Sequence, residues 1–241
     1  MFLRKALICA VTALVLTSPL AAAPSDQAMI DAHMARWNPE SVMLLGHLAD
    51  CVAEKHPQTA DAFVRNTSDS TALSKDQARL VDTACIKKYW LRSSRTTVDP
   101  ELYRPLLGEA LVTRALSAAA MPSFDRLTQG PDNPRLPDVP IGEVHPYYRS
   151  MFTVDRYLGE LADHSECVAR AQPQAVLALG TTKRGSAEEA SAIARLDAAA
   201  PGCADRRPAV TFPSFLRRAD LLLQLYLLSR LAGSPVLQRV S

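Results

Sequence analysis

Hydrophobic positions recur at helical spacing in two separate stretches of this 241-residue chain. In the first stretch, Leu45, Leu48 and Val52 follow one another at steps of three and four residues. The second series consists of Met151, Val154, Leu158, Leu161 and Val168. Apolar residues at such steps lie on one face of an amphipathic helix. No stretch of the sequence shows the sustained alternation typical of strands, so the pattern predicts an all-α fold.

Prolines and capping residues divide each stretch into several helices. Pro57 and Pro173 stop the first helix of each stretch and suit the first turn of the helix that follows. The segments 74–77 (Ser-Lys-Asp-Gln) and 186–189 (Ser-Ala-Glu-Glu) have the spacing of a capping box, in which a hydroxyl and an acid or amide satisfy backbone N–H groups. Each stretch is therefore predicted to contain a third helix.

A last helix is predicted from Phe215 to Leu231, and its leucines go most of the way round the helix. This wide apolar arc favours a helix that packs on both sides in the core. A dimer surface is one alternative. A membrane-surface helix over residues 213–231 is another, because a broad apolar face with arginines suits a lipid interface.

The two stretches align with each other. Placing Cys167 on Cys51 sets CVARAQPQAVLAL under CVAEKHPQTADAF, and a two-residue slip then sets Cys203 on Cys85. We interpret the chain as two diverged copies of one helical unit, residues 24–121 and 148–241. Four cysteines allow three disulfide patterns, and spacing alone does not choose among them. The duplication favours Cys51–Cys85 and Cys167–Cys203, because a unit that once folded alone would have closed its own disulfide.

Two polar features occur in both copies. An acid precedes the first cysteine of each copy, as Asp50 and Glu166, and an arginine opens each last helix, as Arg104 and Arg217. A carboxylate and a guanidinium together could hold an anionic ligand or a reacting proton. The alternative interpretation is ion pairs that link helices.

Residues 122–147 between the units form a proline-rich linker. The prolines are Pro122, Pro131, Pro134, Pro137, Pro140 and Pro146. Such a segment does not propagate a helix. We expect a surface linker, and the alternative is a partner-binding strap. Tyr147 and Tyr148 at its end are the candidate contact residues for a partner.

The start of the chain has the order of a secretory signal peptide over residues 1–23. A charged MFLRK is followed by an uncharged apolar run of eleven residues and an alanine-rich end, with cleavage near Ala22 or Ala23. The run is shorter than the roughly 20 residues that span a bilayer. The sequence therefore predicts a periplasmic or secreted protein, in a compartment where disulfides form.

Charge and motifs argue against several classes of function. Lys plus Arg number 27 and Asp plus Glu 25; removing Arg4 and Lys5 with the signal leaves 25 of each. A net charge of zero argues against nucleic-acid binding. The spacing of the histidines gives no metal-binding motif, and no nucleotide-binding loop or nucleophile elbow is present, so no metal, cofactor or catalytic residue is predicted.

The Cys-Val-Ala helix, the proline, the Ser-x-Glu-Glu helix start, the second cysteine and the arginine-led last helix resemble a family of small exported proteins of Gram-negative bacteria to which no activity is assigned. The resemblance is clearest from Cys167 to Cys203 and looser from Cys51 to Cys85, where Ser70 and Thr71 replace Glu188 and Glu189. It does not cover the linker. It implies secretion and internal duplication, and it implies no catalytic residue.

We therefore expect a helical binding or interaction module of the cell envelope, without catalysis, whose partner is a protein or a small ligand. A cofactor-independent enzyme with a polar cleft between the units is one alternative, and a peripheral envelope protein held by the C-terminal helix is the other. A cleft lined by Asp50, Glu166, Arg104 and Arg217 would favour an enzyme or a small-ligand binder. The same residues in separate places would favour the interaction module.

Overall fold

A computed structural model describes most of the chain between Ser25 and Gly233, and each regular element in that part is helical. The described residues are 25–65, 79–88, 98–116, 121–124, 126–131, 144–145 and 148–233. The prediction of an all-α fold is confirmed for these residues. The predicted signal peptide, the capping segment 74–77, Tyr147 and much of the linker lie outside the described residues.

The described helices include the predicted helices around Cys51 and Cys167, those that begin at Pro57 and Pro173, and the last helix, together with a first helix that was not predicted from the sequence. The first half contains α1 (Asp26–Met34), α2 (Pro39–Lys55), α3 (Pro57–Arg65), α4 (Thr83–Lys88) and α5 (Pro100–Leu116). The second half contains α6 (Arg149–Ala171), α7 (Pro173–Leu179), α8 (Ala187–Ala199), a short 3-10 helix (Pro201–Arg206) and α9 (Ser214–Leu231).

Local sequence accounts for where several of these helices begin. Pro57 and Pro173 are the first residues of α3 and α7, as their fixed φ angle and missing N–H group favour. Asn38 accepts a hydrogen bond from the backbone N–H of Ser41 at the start of α2. Ser186 accepts one from the N–H of Glu189 at the start of α8, which confirms the predicted cap of that helix.

Each half closes its own disulfide. Cys51 of α2 is bonded to Cys85 of α4, and Cys167 of α6 is bonded to Cys203 of the 3-10 helix. The predicted connectivity is confirmed. The two bridges span 34 and 36 residues of sequence. In the chain-entropy model a loop of this size stabilises the fold by about 3 to 4 kcal/mol, through the unfolded state.

One hydrophobic core contains residues of both halves. Helix α9 lies at its centre and packs against α5, α6, α7 and α8, while α5 also packs against α2 and α3. Leu216 and residues 218–229 of α9 are all buried. The interpretation of the last helix as a core helix is confirmed, because protein surrounds the apolar arc that a lipid surface would otherwise contact.

Helices α5 and α9 approach each other closely at Gly108. A Cβ atom placed on Gly108 would lie 2.6 Å from Leu223 Cδ1 and 3.0 Å from Leu223 Cα. Real Cβ atoms essentially never lie closer than 3.0 Å to such neighbours. The absence of a side chain at Gly108 therefore lets the backbones of the two central helices come together.

The predicted apolar stripe of α6 needs one correction. Val154, Leu161 and Val168 are buried and Leu158 is partly buried, as the helical spacing predicts. Met151 is 53% exposed. It lies in the first turn of α6, and helical spacing alone did not predict its exposure.

Candidate functional site

Arg104, a predicted ligand-binding residue, links α5 to α3. Its Nε donates to the carbonyl oxygen of Val64, at 2.8 Å, near the end of α3. Burial lowers the pKa of the Arg104 guanidinium, and the charge of Asp220 on α9 opposes this shift. The side chain therefore fastens the end of one helix to the next and faces a carboxylate of the other half.

Arg217, the predicted counterpart of Arg104, binds the side-chain carboxylate of Asp197 and not a backbone carbonyl. Its Nη2 donates to both carboxylate oxygens of Asp197, at 2.7 and 2.8 Å. Arg207 Nη2 lies 3.4 Å and His164 Nε2 lies 4.0 Å from the same carboxylate. Burial lowers the pKa of His164, with the charge of Asp197 opposing this shift. The group links α6, α8 and α9 within the second half.

The bond that Arg104 makes has its equivalent at Arg218. Arg218 Nη2 donates to the carbonyl oxygen of Gly180 at 3.0 Å, at the end of α7. Gly180 follows Cys167 by thirteen residues, as Val64 follows Cys51. Arg104 and Arg218 therefore each bind a carbonyl oxygen near the end of a helix, thirteen residues after a disulfide-bonded cysteine.

Asp50 pairs with an arginine of the other half. Arg184, in the turn before α8, lies 3.7 Å from Asp50 Oδ2, and its Nε donates to Glu109 Oε1 at 3.0 Å. A Cβ on Gly46 would lie 2.1 Å from Arg184 Nη1. The guanidinium thus lies directly on the backbone of α2, and the missing side chain of Gly46 provides the space.

Glu166, the acid before the other first cysteine, helps to hold the linker. Arg170 Nε donates to Glu166 Oε1 at 2.8 Å, and the other nitrogens of Arg170 donate to the carbonyl oxygens of Phe124, Leu127 and Gln129. The Glu166 carboxylate also lies against Gly130, where a Cβ would come within 2.4 Å of Oε1. Asp50 and Glu166 therefore have different partners and different roles.

The tyrosine pair at the end of the linker is described in part. Tyr148 precedes α6 and is 47% exposed, and the ring of His145 lies against it at a centroid distance of 6.2 Å. Tyr147 lies outside the described residues. Tyr148 and Met151 are thus two large exposed side chains one helical turn apart.

Sequence reasoning missed the most buried ionic group of the described chain. Arg218 of α9 is 3% exposed and lies between Glu109 of α5 and Glu189 of α8, which are 2% and 0% exposed. Arg218 Nε donates to Glu109 Oε1 at 2.9 Å, and Nη1 to Glu189 Oε2 at 3.3 Å and to the Thr182 carbonyl at 2.7 Å. Charged residues inside the apolar runs LLGEALV and LRRADLLL were the available signal, since buried charges need partners.

Asp220, also unpredicted, lies among polar side chains of three helices. Ser165 of α6 and Gln224 of α9 hydrogen-bond its carboxyl group, and Arg104 of α5 faces it. Burial raises the pKa of Asp220 to about 6, against the lowering effect of these neighbours. A buried carboxyl with a raised pKa is a candidate for proton chemistry. Asp220 is only 7% exposed, however, which places it inside the helix packing.

Among the described residues, no three His, Cys, Asp or Glu side chains are placed to hold a metal ion. Within the same residues, no helix combines the length and the apolar character needed to cross a bilayer.

The chain was compared with protein-family models, with curated proteins and with solved structures. None of these comparisons gave a match. The resemblance to a family of small exported bacterial proteins therefore stays a prediction from the sequence.

Proposed function

We propose that this chain is an exported helical interaction module of the cell envelope that acts without catalysis. Its sequence begins like a secretory signal peptide, and the structure contains two disulfides. Disulfides of this kind persist in oxidising compartments outside the cytosol. Export and disulfide formation are therefore both consistent with an oxidising compartment outside the cytosol.

The placement of the four polar candidates supports this function over an enzyme. Asp50, Glu166, Arg104 and Arg217 each have a different set of partners. Asp50, Arg104 and Arg217 each contact another element, whereas Glu166 pairs within α6 with Arg170, which binds carbonyl oxygens of the linker. An enzyme or a small-ligand binder built on these residues would need them around one cleft. Their separate engagement as links between helices, or between a helix and the linker, is the observation that carries the proposal.

The contact surface that we propose begins at the start of α6. Tyr148 and Met151 are 47% and 53% exposed and lie one turn apart. Tyrosine and methionine are enriched in protein–protein interfaces, where they provide a large contact area. The linker enters the helix at this point, which agrees with the predicted role of its end as a contact region for a protein partner.

Site-specific photocrosslinking in cells that export the protein tests this surface. p-Benzoylphenylalanine replaces Met151 in one variant and Met43 of α2 in a matched variant, because Met43 is exposed to the same degree, at 52%. We expect one discrete protein adduct from position 151 that is weak or absent from position 43. The Tyr148→Ala substitution should reduce that adduct. No adduct at 151, or identical adducts at both positions, would contradict the proposed surface.

We further propose that the two halves are copies of one unit. Helices α2 and α6 end in the same backbone conformation, with φ and ψ of −132° and 53° at His56 and −135° and 50° at Gln172. A proline then opens the next helix in both halves. The arginine bonds to Val64 and Gly180 and the paired disulfides also support this origin.

A further inference from the structure

Helix α1 is attached to the second half of the chain through its first two residues. The side-chain amide of Gln27 accepts a hydrogen bond from Thr211 N at 2.7 Å and donates one to Thr211 O at 3.1 Å. Asp26 accepts a hydrogen bond of 2.5 Å from the Tyr157 hydroxyl and lies 3.5 Å from Arg156. Helix α6, which contains Tyr157, is the main packing partner of α1.

The other end of α1 is attached to the first half, at the start of α5. His33 Nε2 and Arg36 Nη2 lie 2.8 and 3.2 Å from Glu101 Oε2. Trp37, just after the helix, donates from Nε1 to Asp99 Oδ2 at 3.1 Å. Helix α1 therefore bridges the junction between the halves, with polar contacts at both of its ends.

Little of α1 is buried. Of its nine residues only Ile30 and Met34 are buried, whereas α9 is buried along nearly all of its length. Helix α1 also precedes Cys51, so it lies outside both disulfide loops. Its ion pairs are partly exposed, where salt and water weaken them.

We propose that α1 detaches from the rest of the protein as a unit, by local opening, while the core of α2 to α9 stays folded. Segments with few buried apolar contacts and solvent-accessible polar bonds open at a lower free energy than the core. Opening would uncover the face of α6 around Tyr157 and would break the polar contacts that α1 makes with each half, without breaking a disulfide or moving α9.

Hydrogen exchange on the full-length protein with intact disulfides, followed by mass spectrometry, tests whether α1 opens on its own. Under conditions where exchange reports the opening equilibrium, amides of α1 should exchange on the order of 100-fold faster than those of α9. Raising the salt concentration to 0.5 M should increase exchange in α1 relative to α9.

Two mild substitutions then separate local opening from global unfolding. Gln27→Ala removes two hydrogen bonds that break both when α1 opens alone and when the whole chain unfolds. It should therefore accelerate amide exchange in α1 and in α9 by the same factor, about five- to tenfold. Ile193→Val in the buried face of α8 should accelerate α9 by about fivefold and leave α1 unchanged. Gln58→Ala, at an exposed glutamine of α3, is the control and should change neither.

The proposal fails if α1 and α9 exchange at equal rates in the unaltered protein. It also fails if Ile193→Val accelerates α1 as much as α9, because α1 would then open only when the whole chain unfolds. Either result would leave the proposed interaction surface at Tyr148 and Met151 untouched, since that surface is tested by crosslinking.

Discussion

The substitution Gly108→Ala tests whether the close crossing of α5 and α9 holds the two halves together. The new Cβ would lie 2.6 Å from Leu223 Cδ1 and 3.0 Å from Leu223 Cα. The side chain of Leu223 could rotate, but its Cα moves only with the backbone of α9. That helix is surrounded by four others, so a shift there is transmitted through the core.

Two opposing effects determine how much Gly108→Ala changes the free energy of unfolding. In the interior of a helix, alanine is favoured over glycine by about 1 kcal/mol. Overpacking a dense core costs up to about 3 kcal/mol, and the upper end applies because backbone must move. We therefore expect the free energy of unfolding to fall by about 2 kcal/mol, which corresponds to a decrease of about 4 to 8 °C in Tm for a chain of this size.

Urea denaturation followed by circular dichroism at 222 nm measures this effect. Gly202→Ala is the control, because a Cβ there meets nothing within 4 Å and the residue has no positive φ; it should stay within about 0.5 kcal/mol of the unaltered protein. A double-mutant cycle of Gly108→Ala with Leu223→Ala should show coupling, since the second change removes part of the clash. A gain of about 1 kcal/mol for Gly108→Ala, as propensity alone predicts, would refute the close crossing.

Three further outcomes follow from buried residues and from the start of the chain. Burial raises the pKa of Asp220 from 3.8 to about 6. The protonated carboxyl therefore stabilises the folded state fully below pH 3.8, and this stabilisation is lost as pH rises through 6. In urea titrations the free energy of unfolding should fall by up to about 3 kcal/mol between pH 4 and 7, and Asp220→Asn should remove that fall. A profile as steep as that of the unaltered protein would contradict this. Leu225→Ala should cost about 2 to 5 kcal/mol in thermal melting, because Leu225 is fully buried, whereas an unchanged melt with weaker liposome co-sedimentation would show a lipid-facing residue. Intact-mass analysis of the protein recovered from the envelope should show the loss of about 22 or 23 residues, and a species that keeps residues 1–20 would exclude cleavage there.

The sequence by itself determined the features that depend on neighbouring residues. Pro57 and Pro173 begin helices because proline fits a first turn, and Ser186 caps α8 because its hydroxyl reaches the N–H three residues on. The last helix was identifiable as a core helix because leucines on most of its circumference require burial on both sides. The disulfides followed from the alignment of the halves.

Only the tertiary structure decided which polar groups meet. Arg218 lies 109 residues from Glu109 in the sequence, and no local pattern distinguishes it from Arg217, which binds Asp197. Helical periodicity also placed Met151 on the apolar stripe of α6, although its side chain is 53% exposed. Periodicity tells which side of a helix is apolar, whereas the partner that covers each turn depends on how distant helices pack.

The attachment of α1 shows the same division. This helix was not predicted from the sequence. Its N-terminal cap is local, since the Ser25 side chain accepts a hydrogen bond from Ala28 N, but its bonds to Thr211 and Tyr157 join residues more than 130 positions apart. Such contacts form because the core brings the two halves together, with α5 and α9 in contact at Gly108. Interactions within one helical turn determine which segments of a sequence become helices. Which helices pack against each other depends on the whole chain, because that packing buries apolar side chains that are far apart in the sequence.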